Sequence, residues 1–374
     1  MLHPNPNVIK NSIKNNPAPT GTPLLRAVDF FCGAGGVTAG FSQAGIEVLA
    51  GIDIDPNCKA TYEENNAGSK FLKKDISVYD PEELGTELQI LRNDDDLIFI
   101  GCSPCQYYSS VNNIKDKSAK GRLLLEDFQR FVDYFRPGYI FIENVPGLKK
   151  NNESPLGRFK QFLIDAGYVF SDDVLNAKYY SVPQNRRRYV LLATRINNEI
   201  KLPVGNKKNL TSVRSVIGDV LVFPPIVAGH KDNSDFLHSA ASLNELNMRR
   251  IQRTSHNGGS RREWSGDPEL QLECYKDYEG HSDVYGRLYW DRPSPTITTK
   301  FYSLSNGRYG HPEQDRALSL REGAILQSFS GDYKFLASSQ GINGKLIGNA
   351  VPPKMAMAIG NALIQNRING AIQG

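Results

Sequence analysis

The feature that most constrains this chain lies in residues 24–195, where short apolar runs alternate with amphipathic stretches and each run ends in a glycine turn or a charged residue. Runs at 24–31, 46–52, 71–72, 97–100, 139–142 and 189–194 read as strands, and stretches at 37–44, 56–66, 123–135 and 155–166, with another starting at Pro81, read as the helices between them. Such alternation implies a mostly parallel, doubly wound α/β sheet. In that architecture the turns leaving parallel strands gather on one rim, where ligands bind.

The turns carry the chemistry. Cys32-Gly33-Ala34-Gly35-Gly36 follows the first strand; glycines let a ligand approach the backbone, and a helix start offers free N–H groups. Gly33-x-Gly35-x-x-Thr38 misses the third glycine of the dinucleotide fingerprint, so nicotinamide binding loses ground and a plain tight turn competes. Asp53 is placed to accept from a ribose. Asp75 can take an adenine amino hydrogen or cap a turn.

Gly101-Cys102-Ser103-Pro104-Cys105-Gln106 sets a thiol directly after proline at the rim. A nucleophile, a core cysteine and a Cys102/Cys105 redox pair all fit that stretch. Glu143-Asn144-Val145-Pro146-Gly147 emerges one strand later, and Gln184-Asn185-Arg186-Arg187-Arg188 leads into the next. Alternation along a strand would face Arg186 and Arg188 the same way. A basic triplet is a solvated edge by default; beside a carboxylate and a thiol it suits anions or base edges. Residues 106–121 are polar and aperiodic, which suggests a mobile lid.

A chain of 374 residues favours two domains. Forty-four Lys and Arg against forty Asp and Glu leave +4, which permits nucleic acid without demanding it. Five cysteines with no metal-like pairing beyond the one Cys-x-x-Cys suit a reducing cytosol. No run is long enough to cross a bilayer, and residues 1–23, rich in Asn and Pro, read as a flexible arm rather than a signal sequence. From 195 to 286 the pattern weakens, and Arg249, Arg250, Arg253, Arg261 and Arg262 cluster around His256-Asn257-Gly258-Gly259. This reads as a second, smaller domain whose basic turns suit nucleic acid or ordinary surface. Residues 287–299 read as extended, Ser319-x-x-Glu322 as a capping box opening a helix through Gln327, and Gly348-Asn349-Ala350-Val351-Pro352-Pro353 as the lead into a helix over about 354–364.

Taken in order, Asp29-Phe30-Phe31-Cys32-Gly33-Ala34-Gly35-Gly36, Ser103-Pro104-Cys105-Gln106, Glu143-Asn144-Val145-Pro146-Gly147, Gln184-x-Arg186-x-Arg188 and Gly348-Asn349-Ala350-Val351-Pro352-Pro353 resemble the DNA cytosine-5 methyltransferases of bacterial type II restriction-modification systems, over residues 25–365. The resemblance implies a Rossmann-like class I methyltransferase sheet with a smaller target-recognition domain. It divides the chain into an arm (1–23), a catalytic domain (24–195), a recognition domain (196–335) and a C-terminal segment returning to the catalytic domain (336–374). The family usually has Leu and Ala where Phe30 and Cys32 stand, and Pro or Phe where Ser103 stands.

By the same resemblance Cys105 is the nucleophile, Glu143 acts at cytosine N3, Arg188 holds O2, and Arg186 supports the thiolate region or a phosphate. S-adenosylmethionine is the implied donor, S-adenosylhomocysteine the product, with no metal. Phe31, Gly33, Ala34 and Gly36 would line the donor, Asp53 and Ile54 its ribose and adenine, Asp75 and Ile76 the adenine edge, with Leu124 nearby and Asn349 at the amino-acid end. Gln106, Tyr107, Tyr108, Ser109, Ser110, Arg261 and Arg262 are the candidate DNA contacts. The implied partner is double-stranded DNA with its target base swung out, beside a cognate restriction endonuclease acting on the same site; a cytoplasmic monomer is expected. Two rivals stand beside this reading. A tRNA cytosine-5 methyltransferase on the same fold would carry a Cys-Phe-Thr signature, which is absent; against a silent DNA-binding module stand Cys105, Glu143 and Arg188.

Overall fold

A computed structural model of the protein describes residues 25–103, 119–150, 155–272 and 283–373. It divides into two compact units: one holds the described residues up to Tyr180, Arg187–Gly205 and the chain from Val351 on; the other holds Ser181–Arg186 and Asn206–Ala350.

The first unit is built on a seven-stranded sheet of order β3-β2-β1-β4-β5-β7-β6. Its strands are β1 (Arg26–Phe30), β2 (Glu47–Asp53), β3 (Lys70–Lys73), β4 (Leu97–Gly101), β5 (Tyr139–Asn144), β6 (Val169–Asn176) and β7 (Arg187–Thr194). Strands β3, β2, β1, β4 and β5 pair in parallel, and β7 runs antiparallel to both β5 and β6. Residues 177–186 supply only a short 3-10 turn between β6 and β7, too little for the crossover helix a parallel return needs. Strand β6 departs from the sequence pattern. Ser171-Asp172-Asp173 interrupts its apolar character, which an edge strand with half-exposed side chains tolerates.

Helices α1 (Gly36–Ala44), α2 (Lys59–Asn65), α3 (Pro81–Leu88), α4 (Ala119–Phe135), α5 (Gly147–Lys150) and α6 (Leu156–Asp165) alternate with the strands. On one face Phe30 meets Phe99, Phe128 and Phe131 with ring centroids 5.1, 5.2 and 5.0 Å apart, edge-on pairs each adding about 0.5–1.5 kcal/mol beyond burial. On the other face Phe41 of α1 stacks on Phe141 of β5, and the C-terminal helix Pro353–Gln373 packs against α1. A Cβ at Gly40 would fall 2.3 Å from the Pro353 carbonyl oxygen, so glycine sets that approach. At the opposite end of the strands Arg26 bonds Asp94, Arg195 bonds Asp95 at 2.8 Å, and Arg367 of the C-terminal helix bonds Asp96 at 2.6 Å.

The second unit has little regular structure: α7 (Arg214–Ile217), α8 (Glu245–Gln252), α9 (Leu320–Leu326) and α10 (Gln340–Asn349), making the C-terminal helix α11. Ile251, Trp264, Leu270, Tyr285 and Leu304 form a small core. Loops leave backbone carbonyls without ladder partners, and buried arginines, each with five donors, supply them. Arg287 donates to the carbonyls of Thr254, His311, Gln314 and Ile251. Arg321 donates to those of Phe236, Tyr333 and Asp235. The expected capping box is present: Ser319 accepts from the Glu322 amide and Glu322 from the Ser319 amide.

Candidate active site

Because β1, β2, β3, β4 and β5 are parallel, their C-terminal ends share one rim; β7 is reversed, so its first residues lie there too. This brings Phe31, Gly33, Asp53, Asp75, Glu143 and Arg188 to one side of the sheet.

Glu143, near the end of β5, is buried, and its Oε1 lies 2.9 Å from Arg188 Nε. Burial lowers the Arg188 pKa while the Glu143 charge opposes the shift. Next to this pair β4 ends at Gly101, where a Cβ would meet the Ile142 side chain at 2.8 Å. The Asn144 amide donates to the Ser103 carbonyl at 3.3 Å, tying the start of the turn to the residue after Glu143. Burial, then the carboxylates of Glu143 and Asp29, pushes the Cys102 thiol well above its ordinary value. A thiol kept protonated is a poor redox partner. Cys105, Gln106, Tyr107, Tyr108, Ser109 and Ser110 lie outside the described residues.

Arg186 does not continue the strand, since β7 begins at Arg187. It belongs to the second unit, fully buried, donating to the carbonyls of Ile297 at 3.0 Å, Gly348 at 3.2 Å and Ala350 at 3.0 Å. The same-facing alternation expected of Arg186 and Arg188 is therefore absent, and the Arg186 guanidinium is occupied with backbone.

The glycine turn begins with Phe31 at φ 64, a left-handed conformation costly for an aromatic residue, followed by Gly33 and Gly35 at φ 53 and 82. The Gly33 amide donates to Asp53 Oδ2 and the Asp55 amide to Asp53 Oδ1, both at 2.9 Å. Asp53 thus clasps the turn to the end of β2. Ala34 and Gly36 are buried, whereas Ile54 beside Asp53 is 60% exposed at the rim. Asp75 is exposed and caps its turn, accepting from the Ser77 amide and hydroxyl at 3.0 and 2.7 Å. The Ile76 side chain is buried in the core, and Leu124 is half-buried on α4. Asn349, exposed, ends α10 in the second unit. Of the two arginines read as DNA contacts, Arg261 is buried and Arg262 exposed, so the structure withdraws Arg261 as a direct contact of the free surface.

Arg130, which the sequence did not single out, donates to the carbonyls of Ile76, Ser77 and Tyr79 and so holds the turn bearing Asp75. Its placement in mid-helix gives no local signal. Thr38, read from sequence as a missing glycine, donates to the buried Asp29.

The model of the C-5 cytosine-specific DNA methylases matches residues 25–365. The chain belongs to that family. The type II methylase M.HgiDII of Herpetosiphon aurantiacus is 40% identical over 344 residues, spanning 90% of this chain and 94% of that relative. The type II methyltransferase M1.HphI of Haemophilus parahaemolyticus is 30% identical over 348 residues, 92% of this chain and 88% of that relative. Among solved structures, a candidate DNA modification methyltransferase encoded within an E. coli prophage superposes with a TM-score of 0.71 at 19% identity, covering 92% of this chain and 99% of that one. The Entamoeba histolytica methyltransferase EhMeth gives 0.63 at 15% identity over 92% and 99%. These two likenesses bear on the fold, which is the Rossmann-like sheet of methyltransferases. Members of the C-5 family work through a covalent cysteine adduct and use S-adenosylmethionine. Among the described residues no helix is long and apolar enough to cross a membrane.

Proposed function

We propose that this chain methylates C5 of a cytosine swung out of duplex DNA, at a short site shared with a cognate restriction endonuclease, and that Cys105, Glu143 and Arg188 carry the chemistry. The observation that carries the assignment is the ion pair between buried Glu143 and half-buried Arg188 at the rim, with Asn144 bonded to Ser103, two residues before Cys105 in sequence.

Cytosine C5 is a weak nucleophile. Attack of the Cys105 thiolate on C6 breaks the C5–C6 double bond and moves its electrons toward C5 and N3. Glu143 offsets the charge arriving at N3 by sharing or donating a proton, and Arg188 holds O2. Loss of the C5 hydrogen as a proton and expulsion of the thiolate restore the ring. S-adenosylmethionine supplies an electrophilic methyl group when bound.

The residues at the glycine turn fit such a donor. A Cβ at Gly33 would meet nothing within 4 Å, leaving open space over the turn, Ile54 offers exposed apolar surface to an adenine, and Asp53 stands at the end of β2 for a ribose. Ile76, with its side chain in the core, would contribute its backbone to the adenine edge; Asn349 would reach the amino-acid end. Arg186 serves as a positioning residue that ties the backbone of 297, 348 and 350 together. Tyr107, Tyr108, Ser109, Ser110 or Val111 would lie near the space the base vacates, Gln106 would contact the DNA, and Arg262 would meet a phosphate.

Bisulfite sequencing of DNA from a methylation-free host expressing the chain tests this reading. One short recurring motif with a protected cytosine is expected. No protected motif, or donor radiolabel entering tRNA instead of duplex DNA, would overturn it.

A further inference from the structure

Beneath the glycine turn runs a polar chain that the proposed chemistry does not use. Asp29 in β1 is fully buried, between Gly51 of β2 and Ile100 of β4 in register. Its Oδ2 accepts from Thr38 Oγ1 at 2.8 Å; that hydroxyl lies 3.1 Å from the Tyr62 hydroxyl, itself 2.7 Å from Ser69 Oγ. Tyr62 reaches in because Gly51 has no side chain: a Cβ there would fall 2.4 Å from the ring. Asp29 Oδ1 has no hydrogen-bond partner among the described residues. A buried carboxylate with one oxygen unsatisfied is costly, and either a proton or a nearby cation relieves that cost.

The titratable groups facing Asp29 come from several elements: Asp53 at the end of β2, Cys32 in the turn, Tyr62 on α2 and Cys102 after β4. None is cationic. Burial pushes the Asp29 carboxyl up to about 7, with the Thr38 hydrogen bond opposing and the Asp53 charge assisting.

We propose that Asp29 is a proton-linked counter-charge for the methyl donor, giving up a proton to solvent when the cationic donor binds at the turn above it. This rests on the S-adenosylmethionine reading. The group works as a positioning residue through its field, not by touching the reacting atoms. If only the ionised form receives the cation well, the apparent affinity follows the ionised fraction, which for a midpoint of about 7 falls about tenfold from pH 8 to pH 6. Affinity therefore rises with pH.

Calorimetry of S-adenosylmethionine binding to the full chain, at pH 6, 7 and 8 in buffers of different ionisation enthalpy, tests this beside Asp29→Asn and Thr38→Val. The α-amino group of the ligand titrates in the same range, so the readout is the difference between wild type and Asp29→Asn. Wild type should weaken about tenfold more than Asp29→Asn between pH 8 and pH 6, and near pH 7 should release about half a proton more. Thr38→Val removes the opposing hydrogen bond, so its midpoint should move up; that shift decides the matter if Asp29→Asn does not fold. Equal pH dependence in wild type and Asp29→Asn, or an unmoved midpoint in Thr38→Val, would overturn the proposal. A donor that binds without this linkage removes only the role of Asp29, whereas one that binds at no pH removes the cofactor reading with it.

Discussion

Breaking the Arg316–Glu322 pair should unfold the second unit before the sheet. Both side chains are fully buried, with Arg316 Nη1 and Nη2 donating to Glu322 Oε2 and Oε1 at 2.8 and 2.7 Å. Burial alone would raise the Glu322 carboxyl, but the charge and hydrogen bonds of Arg316 hold it well below the usual carboxylate range. In Arg316→Met the carboxylate keeps the Ser319 amide at 2.7 Å and loses its cation. An uncompensated buried charge costs about 3–5 kcal/mol. The double variant Arg316→Met/Glu322→Gln should regain most of that loss, since Gln still accepts from Ser319 and carries no charge. His311 adds a check on the mechanism. Burial pulls it down to about 4, with the Arg316 charge contributing, and its Nε2 lies 3.8 Å from Glu322. Without Arg316 it can take a proton and replace the lost cation, so the deficit of Arg316→Met should shrink from about pH 8 to about pH 5.5. The assay is urea unfolding followed by tryptophan fluorescence. The chain has two tryptophans, and both Trp264 and Trp290 are buried in this unit. A single variant within about 1 kcal/mol of wild type, or a double variant no more stable than the single, would refute the reasoning.

Other outcomes follow from the same geometry. Glu143→Gln should lower methyl transfer by at least about 100-fold while filter binding of DNA and calorimetric binding of the donor persist. Gly51→Ala drives a Cβ to within 2.4 Å of the Tyr62 ring and should cost about 1–3 kcal/mol in thermal unfolding, less in the Tyr62→Ala background. Arg262→Ala should reduce the salt slope of DNA binding by about 1, whereas Arg250→Ala, removing a buried donor to the Leu270 carbonyl, should lower stability instead. In wild type, Glu322 has a depressed folded pKa, so its contribution is present above the unfolded carboxylate value and is lost as pH falls through the acid range. Acid titration of the fluorescence signal measures that loss.

The sheet was legible because its signals are local: an apolar run, then a glycine or carboxylate turn, then an amphipathic stretch. Hence β1, β2, β4 and β5 lie within a residue or two of expectation, and Glu143 and Asp53 sit on the predicted rim. Strand β6 was missed because Ser171-Asp172-Asp173 suits a half-exposed edge and breaks the pattern sought. Helix α10 was missed because Gly341, Asn343 and Gly344 weaken helical propensity, and packing supplies what the sequence lacks: Gly344 lies where a Cβ would strike Tyr302 at 2.4 Å. Arg186 escapes the strand pattern because β7 starts one residue later, at Arg187, so alternation does not reach it. Thr38 stands where the dinucleotide fingerprint has a glycine, and its role comes from Asp29, nine residues away in sequence and fully buried. Spacing reveals which residues share a rim; it does not reveal which buried group a hydroxyl must satisfy.

The central claim is that the Cys105 sulfur bonds transiently to cytosine C6. Duplexes carrying 5-fluorocytosine within randomised flanks, incubated with the chain and S-adenosylmethionine, test it most directly, because fluorine at C5 blocks the proton loss that frees the enzyme. A denaturation-resistant protein–DNA complex is predicted, with mass spectrometry placing the adduct on Cys105 and none forming with Cys105→Ser. Methylation of ordinary duplexes without any trapped complex, or an adduct on another residue, would contradict it.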